Sequence, residues 1–187
     1  MGVCLVVGCA SVVELEPLGS RLDAGWTRGE GPLRLLVAGH AYDAGMRLHF
    51  ERGMVAELRA RGIPAEASSE LMLDLRLLTG PVLAGYLQAS PESAVLLARA
   101  LSVTKERTRT GRGASVTGLL ETNSGAWDVT TGVLLEASLF VPGRADPVWA
   151  ERTRLQAQEG AGPEALDAYV AALVESLARD GLVAGQR

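Results

Sequence analysis

The chain has 187 residues, a net charge of −4, and 48% hydrophobic against 21% charged residues. That length fits one domain with short tails, and the balance excludes a largely disordered chain. A pI near 5.3 argues against a domain built to bind nucleic acid, and no apolar run reaches the roughly 18 residues of a membrane-spanning helix.

The first ten residues, MGVCLVVGCA, are apolar or small. The run Leu5-Val6-Val7-Gly8-Cys9 resembles a bacterial lipobox, in which a small residue precedes a cysteine whose thiol receives a diacylglycerol. The resemblance implies cleavage before Cys9, acylation of the new amine, and a lipid anchor. Ala10 and Ser11 follow; in such signals a residue other than Asp there implies the outer membrane, on its periplasmic face. Eight residues precede Cys9 and none is basic, which a start further upstream would explain. The other reading is a buried first strand, MGVCLVVG, with Cys4 and Cys9 as inert core thiols. Both cysteines lie before the expected domain, so no internal disulfide framework is suggested.

Residues 1–8 are thus read as a residual leader, 9–32 as a tether and 33–184 as a single α/β domain. The tether holds Pro17, Gly19, Gly25, Gly29, Gly31 and Pro32, with room for a short strand at 12–15. Residues 33–38 (LRLLVA) predict the domain's first strand. Asp43 is the expected N-cap of a helix to about residue 61, with Met46, Phe50, Met54 and Leu58 as its buried stripe and Gly62 closing it. A short strand at 63–68 follows. The stretch 69–78 mixes alternating and helical features and is left open. Residues 81–88 predict a helix with proline in its first turn.

Residues 94–104 predict a strand that could run on to 110. The Gly/Ser/Thr-rich stretch 111–126 is a hairpin loop or partly ordered arm. Strands follow at 128–141 and 147–158, the latter with Val148, Ala150 and Thr153 among the candidate core residues. A last helix at 163–179 carries Leu166, Val170, Leu173, Val174 and Leu177 on one face. The order β-α-β-α-β-β-β-α implies a mixed sheet of about five strands in a two-layer α/β sandwich, parallel in its first half and antiparallel in its second. Trp26, Trp127 and Trp149 are read as packing anchors.

Candidate chemistry is sparse. His40 and His49 are the only histidines and do not form a metal-ligand pattern. Gly113–Gly118 has the wrong spacing for a nucleophile elbow, and the Gly-x-Gly pairs at 29–31 and 111–113 lack a third glycine. No metal, no cofactor and no catalysis is expected. The most charged feature is TKERTRTGR at 104–112. On a strand, Lys105, Arg107 and Arg109 share one face, and Arg112 extends the patch. It is read either as a contact for an anionic partner, such as lipid head groups, peptidoglycan or an acidic protein, or as a charged edge that prevents strand pairing. A rival site for a small ligand or a reaction would lie at His40, Tyr42 and Asp43, at the carboxyl end of the first domain strand.

Two longer stretches carry a family resemblance. Residues 34–71 resemble the opening of small bacterial envelope lipoproteins, where a strand leads into a helix of the form R-x-x-F-E with a later L-x-x-x-G; here the matches are Arg47, Phe50, Glu51, Leu58 and Gly62. Residues 127–156 resemble their closing hairpin and 173–183 their final helix. The implied fold is similar to the N-terminal domain of the Tol propeller protein and to lipoprotein activators of penicillin-binding proteins. The implied function is non-catalytic binding or scaffolding of a protein partner in the periplasm. The alternative is a small soluble, cytoplasmic ligand-binding domain or enzyme. The scarcity of Lys, Asn and Ile, one of each, points to a GC-rich bacterial source.

Overall fold

The computed structural model describes residues 13–26, 34–41, 43–71, 80–109, 127–158 and 161–183. Among them the chain runs β1 (Val13–Leu22), β2 (Arg34–His40), α1 (Ala44–Ala60), β3 (Ala65–Ala67), α2 (Ser68–Leu71), α3 (Gly80–Ala89), β4 (Ser93–Arg109), β5 (Trp127–Phe140), β6 (Trp149–Gln158) and α4 (Gly162–Arg179). The strands form one mixed sheet in the order β1-β6-β5-β4-β2-β3. β2 pairs parallel with β3 and with β4, and the pairs β4–β5, β5–β6 and β6–β1 are antiparallel. Parallel neighbours require crossovers, and the helices between β2 and β4 supply them.

The architecture is two-layered. α1 and α4 cover one face of the sheet, where Leu35, Val37, Leu96 and Leu139 meet Met54, Leu58, Leu173 and Leu177 in the main core. Phe50 of α1 stacks on Tyr169 of α4 at 5.9 Å between ring centres. On the opposite face α3 packs Leu83 and Leu87 onto Leu36, Ala38 and Val95, and among the described residues no helix covers the β5–β6–β1 part. Burial follows from this placement. β2 is covered on both sides and reads as an unbroken apolar run, whereas β6 alternates buried and exposed. Asp43 caps α1 by accepting the Met46 N–H at 2.8 Å, and Gly62, at φ +76°, ends it in a conformation that side chains with a Cβ disfavour.

Three expectations change. Residues 13–22, assigned to the tether, form a ten-residue edge strand on β6. The sheet therefore has six strands and its first one precedes residue 33. Pro17 and Gly19 did not break it. An edge strand tolerates a residue without an N–H, and the register shift between these two positions absorbs the irregularity. On β6 the core-facing set is Trp149, Glu151, Thr153, Leu155 and Ala157, so Ala150 sits on the opposite face with partial exposure. In α1, Met46 is only half-buried, while Arg47, Glu51 and Val55 join Phe50, Met54 and Leu58 in the buried set. The open stretch begins with the single turn α2, and residues 72–79 lie outside the described part.

Candidate functional site

The carboxyl end of β2 is held by a buried polar cluster. Glu51 on α1 is 0% exposed and Arg47, one turn earlier, is 3% exposed. Glu51 Oε1 accepts from Arg47 Nε at 2.9 Å, from the Gly39 N–H at 2.9 Å and from Ser68 Oγ at 2.7 Å. Its Oε2 accepts from the Ser69 N–H at 2.8 Å, and Arg47 Nη2 donates to Ser68 Oγ at 2.9 Å. Burial pushes the Glu51 carboxyl up. The hydrogen bonds from Gly39, Ser69, Arg47 and Ser68 outweigh that and hold it below the ordinary carboxylate value. A Cβ at residue 39 would lie 3.0 Å from the Phe50 ring, so any other residue there would need the ring to give by a few tenths of an ångström. The cluster ties β2, α1, β3 and α2 into one corner. Its carboxylate is surrounded by donors, which makes it a structural clasp.

That corner fixes the position of His40, at the rim of a groove of about 550 Å³ on the α3 face. Leu83 and Leu87 of α3 line one wall, and Leu97 of β4 with Phe140 of β5 line the floor. His40 and Arg99 are neighbours across the β2–β4 pairing and sit at one end of the groove. Arg144 sits in the turn after β5 and is held by Asp23 at 2.6 Å. Beside α3, the Tyr86 hydroxyl donates to Glu66 at 2.5 Å; burial and that hydrogen bond push the phenol above its ordinary value.

Arg99 opens a charged row across the sheet. Register places Arg99 opposite Glu136, and Glu136 opposite Arg152. Glu136 accepts from Arg99 Nη2 at 2.6 Å on one oxygen and from Arg152 Nε at 3.0 Å on the other. The Arg99 hydrogen bond leads the causes that hold the Glu136 carboxyl below its ordinary value, against the opposing effect of burial. Sequence reasoning missed this row and the groove beside it. The available signal was a lone charge inside an apolar strand, Arg99 in AVLLARALSV and Glu136 in VLLEASLF. A single charge there marks a sheet face that is open to water.

The expected site residues fall in different places. His40 lines the groove, while the Asp43 carboxylate is occupied in capping α1. Tyr42, Cys9 and Arg112 lie outside the described residues. Lys105 and Arg107 are exposed on the outer edge of β4, and Arg109 ends that strand opposite Trp127. His49, read as a solvated helix residue, pairs with Asp167 at 2.7 Å on the exposed surface. Trp149 is fully buried and donates from Nε1 to Asp180 at 2.7 Å, and Trp26 packs half-buried on the main core. Among the described residues no group of three His, Cys, Asp or Glu is placed to hold a metal, and no helix is long and apolar enough to cross a membrane.

No family model matches the chain, and no curated protein matches it. Among solved structures it is similar to the PelC dodecamer from Paraburkholderia phytofirmans, with 12% identity and a TM-score of 0.48 over 87% of this chain and 95% of that one. A form of that dodecamer with a single leucine-to-methionine substitution aligns at 14% identity and a TM-score of 0.44, over 87% of this chain and 96% of that one. Lipoprotein GNA1162 from Neisseria meningitidis aligns at 15% identity and a TM-score of 0.47, over 79% of this chain and 99% of that one. At these scores the likenesses are ones of outline, and they assign this chain no partner and no assembly.

Proposed function

We propose that this chain is a lipid-anchored, non-catalytic protein of the bacterial envelope that holds a protein partner. The observation that carries the reading is where the edge strand β1 begins among the described residues. Val13, the first residue of the edge strand β1, follows Cys9 by only four residues. Four residues span at most about 14 Å. An acylated Cys9 would therefore hold the sheet close against its membrane, where a tether to residue 32 would have let it swing. Two or more acyl chains supply stable attachment where one does not.

The partner surface in this reading is the groove between α3 and the β4–β5 floor. Its walls are apolar, and its two arginines, Arg99 and Arg144, are already held by Glu136 and Asp23. Such a lining suits the burial of a partner's apolar side chains better than proton transfer. The finer likeness to the Tol propeller domain and the penicillin-binding-protein activators rests on the sequence motifs alone.

The test is fractionation of the native host after a high-salt wash. Wild-type chain stays with the membrane and Cys9→Ser moves to the soluble fraction; a Cys9→Ser chain that stays with the membrane contradicts the anchor. A photo-crosslinker at Phe140 should give a discrete adduct, and one at the exposed Glu57 on α1 should not. Equal labelling at both positions contradicts the groove as the partner surface. A second reading, a small anionic ligand in the groove, draws on His40 beside Arg99. Titration with phosphate and with short carboxylates should then shift the His40 ring resonances, and unmoved resonances dismiss it.

A further inference from the structure

Val13, the described residue nearest the proposed anchor, and the basic stretch of β4 are far apart in sequence but share one end of the sheet. Val13 of β1 pairs with Ala157 of β6, Ala157 with Thr131 of β5, and Thr131 with Lys105 of β4. That row crosses three strand spacings, about 14 Å at ~4.8 Å each. Cys9 lies within about 14 Å of Val13 by chain length alone. Arg109 ends β4 four residues beyond Lys105, about 13 Å along the strand. Val13 and the basic end of β4 therefore lie at the same end of the sheet, and the most that four residues can span from Val13 to Cys9 is comparable with the length of β4 beyond Lys105.

Among the described residues no strand pairs with the outer edge of β4 there. β2 pairs with β4 only as far as Arg99, and residues 101–107 are all exposed. Register and alternation put Val103, Lys105 and Arg107 on one face, opposite Val133, Thr131 and Val129 of β5, and put Thr104 and Glu106 on the other. Glu14 and Glu16 of β1 belong to that second face, and Glu16 is already paired with Arg154. Neither Lys105 nor Arg107 has an ion-pair partner among the described residues. Val103, 58% exposed, sits beside them. Charges that merely guard an edge need no exposed aliphatic neighbour. Basic residues interleaved with an aliphatic one suit a membrane interface, where the head groups are anionic and the layer beneath is apolar.

We propose that the Val103–Lys105–Arg107 face of β4 rests on the anionic phospholipid head groups of the membrane that carries the lipid anchor. This rests on the lipoprotein reading for which membrane is meant, but not for the contact itself. The lipid tail would give attachment, and the strand face would set the orientation that turns the groove toward its partner.

The test uses the full-length Cys9→Ser chain, which has no acyl group, with vesicles of phosphatidylcholine containing phosphatidylglycerol and with vesicles of phosphatidylcholine alone. A basic residue at an anionic surface is worth about fivefold in partitioning, so Lys105 and Arg107 together give about 30-fold. The chain should prefer the anionic vesicles, and Lys105→Gln/Arg107→Gln should remove about that much of the preference. A Val103→Trp reporter in the Cys9→Ser chain should shift its emission to the blue with anionic vesicles only, which decides the matter even if the double variant folds poorly. Equal partitioning to both vesicles, or a preference that survives the double variant, overturns the proposal and turns the basic face over to an acidic protein. The anchor is tested separately by the mass of the native chain. An unmodified native chain with intact vesicle preference would remove the anchor and keep the contact, while an acylated chain without preference would do the reverse.

Discussion

Replacing Glu51 by leucine tests whether the corner cluster holds the end of β2. The substitution takes the Glu51 carboxylate from the Arg47 guanidinium, which is 3% exposed and keeps Ser68 among its partners. Breaking a buried pair from one side costs about 3–5 kcal/mol. The Gly39 and Ser69 N–H groups lose their acceptor as well, at about 1–3 kcal/mol each where water does not replace it. Against a total stability of about 5–15 kcal/mol, a loss of at least about 4 kcal/mol is expected. At about 2–4 °C per kcal/mol, the thermal midpoint should fall by about 8–16 °C in circular dichroism. Arg47→Met/Glu51→Leu should be less damaging than Glu51→Leu alone, because the buried charge leaves with its partner. The folded-state pKa of Glu51 is lowered, so its contribution is fully present above the ordinary value of 4.5 and is lost as pH falls through the folded value. The gap between wild type and Glu51→Leu should therefore narrow as the pH drops below 4.5. A loss under about 1 kcal/mol, or a gap that does not change with pH, would refute the cluster's role.

Other substitutions give smaller effects. Asp43→Ala removes the cap on the Met46 N–H and should cost about 1 kcal/mol in urea unfolding; a neutral result would mean that water satisfies that N–H equally well. Glu151 is buried on the core face of β6, with one oxygen unpartnered and the other accepting only from Thr153 Oγ1 at 3.2 Å. Glu151→Met should be neutral or raise stability by about 1 kcal/mol, since it removes an incompletely satisfied buried polar group. A clear loss in the same assay would contradict that account. Burial, then the charge of Glu151, push the neighbouring Tyr169 phenol well above its ordinary value. Spectrophotometric titration of Glu151→Met should show Tyr169 ionising at lower pH than in wild type.

Much of the fold was legible because its elements declare themselves locally. The apolar run of β2, the Asp43 cap, Gly62, and the stripe Val170, Leu173, Val174 and Leu177 each follow from local patterning. What escaped depended on neighbours. β1 looked like a tether because proline and glycine weaken a strand, but its place at the sheet edge makes both tolerable. Ala150 and Thr153, both core candidates, lie on opposite faces of β6, and Glu151, although charged, shares the buried face with Thr153, so polarity alone did not separate the two faces. Arg47 and Glu51 were visible as motif matches. Their burial was not, because it depends on donors from Gly39, Ser68 and Ser69 that only the fold brings together. The groove is a product of topology. His40, Leu87, Arg99 and Phe140 are distant in sequence and meet through the β2–β4–β5 pairing and the packing of α3.

In the proposed function a lipid on Cys9 places this domain. Its most direct test is the intact mass of the chain purified from the membrane fraction of its native host. A lipid-anchored chain begins at Cys9 and carries the added mass of acyl groups. An unmodified chain beginning at Met1 or Gly2 in the soluble fraction would contradict it.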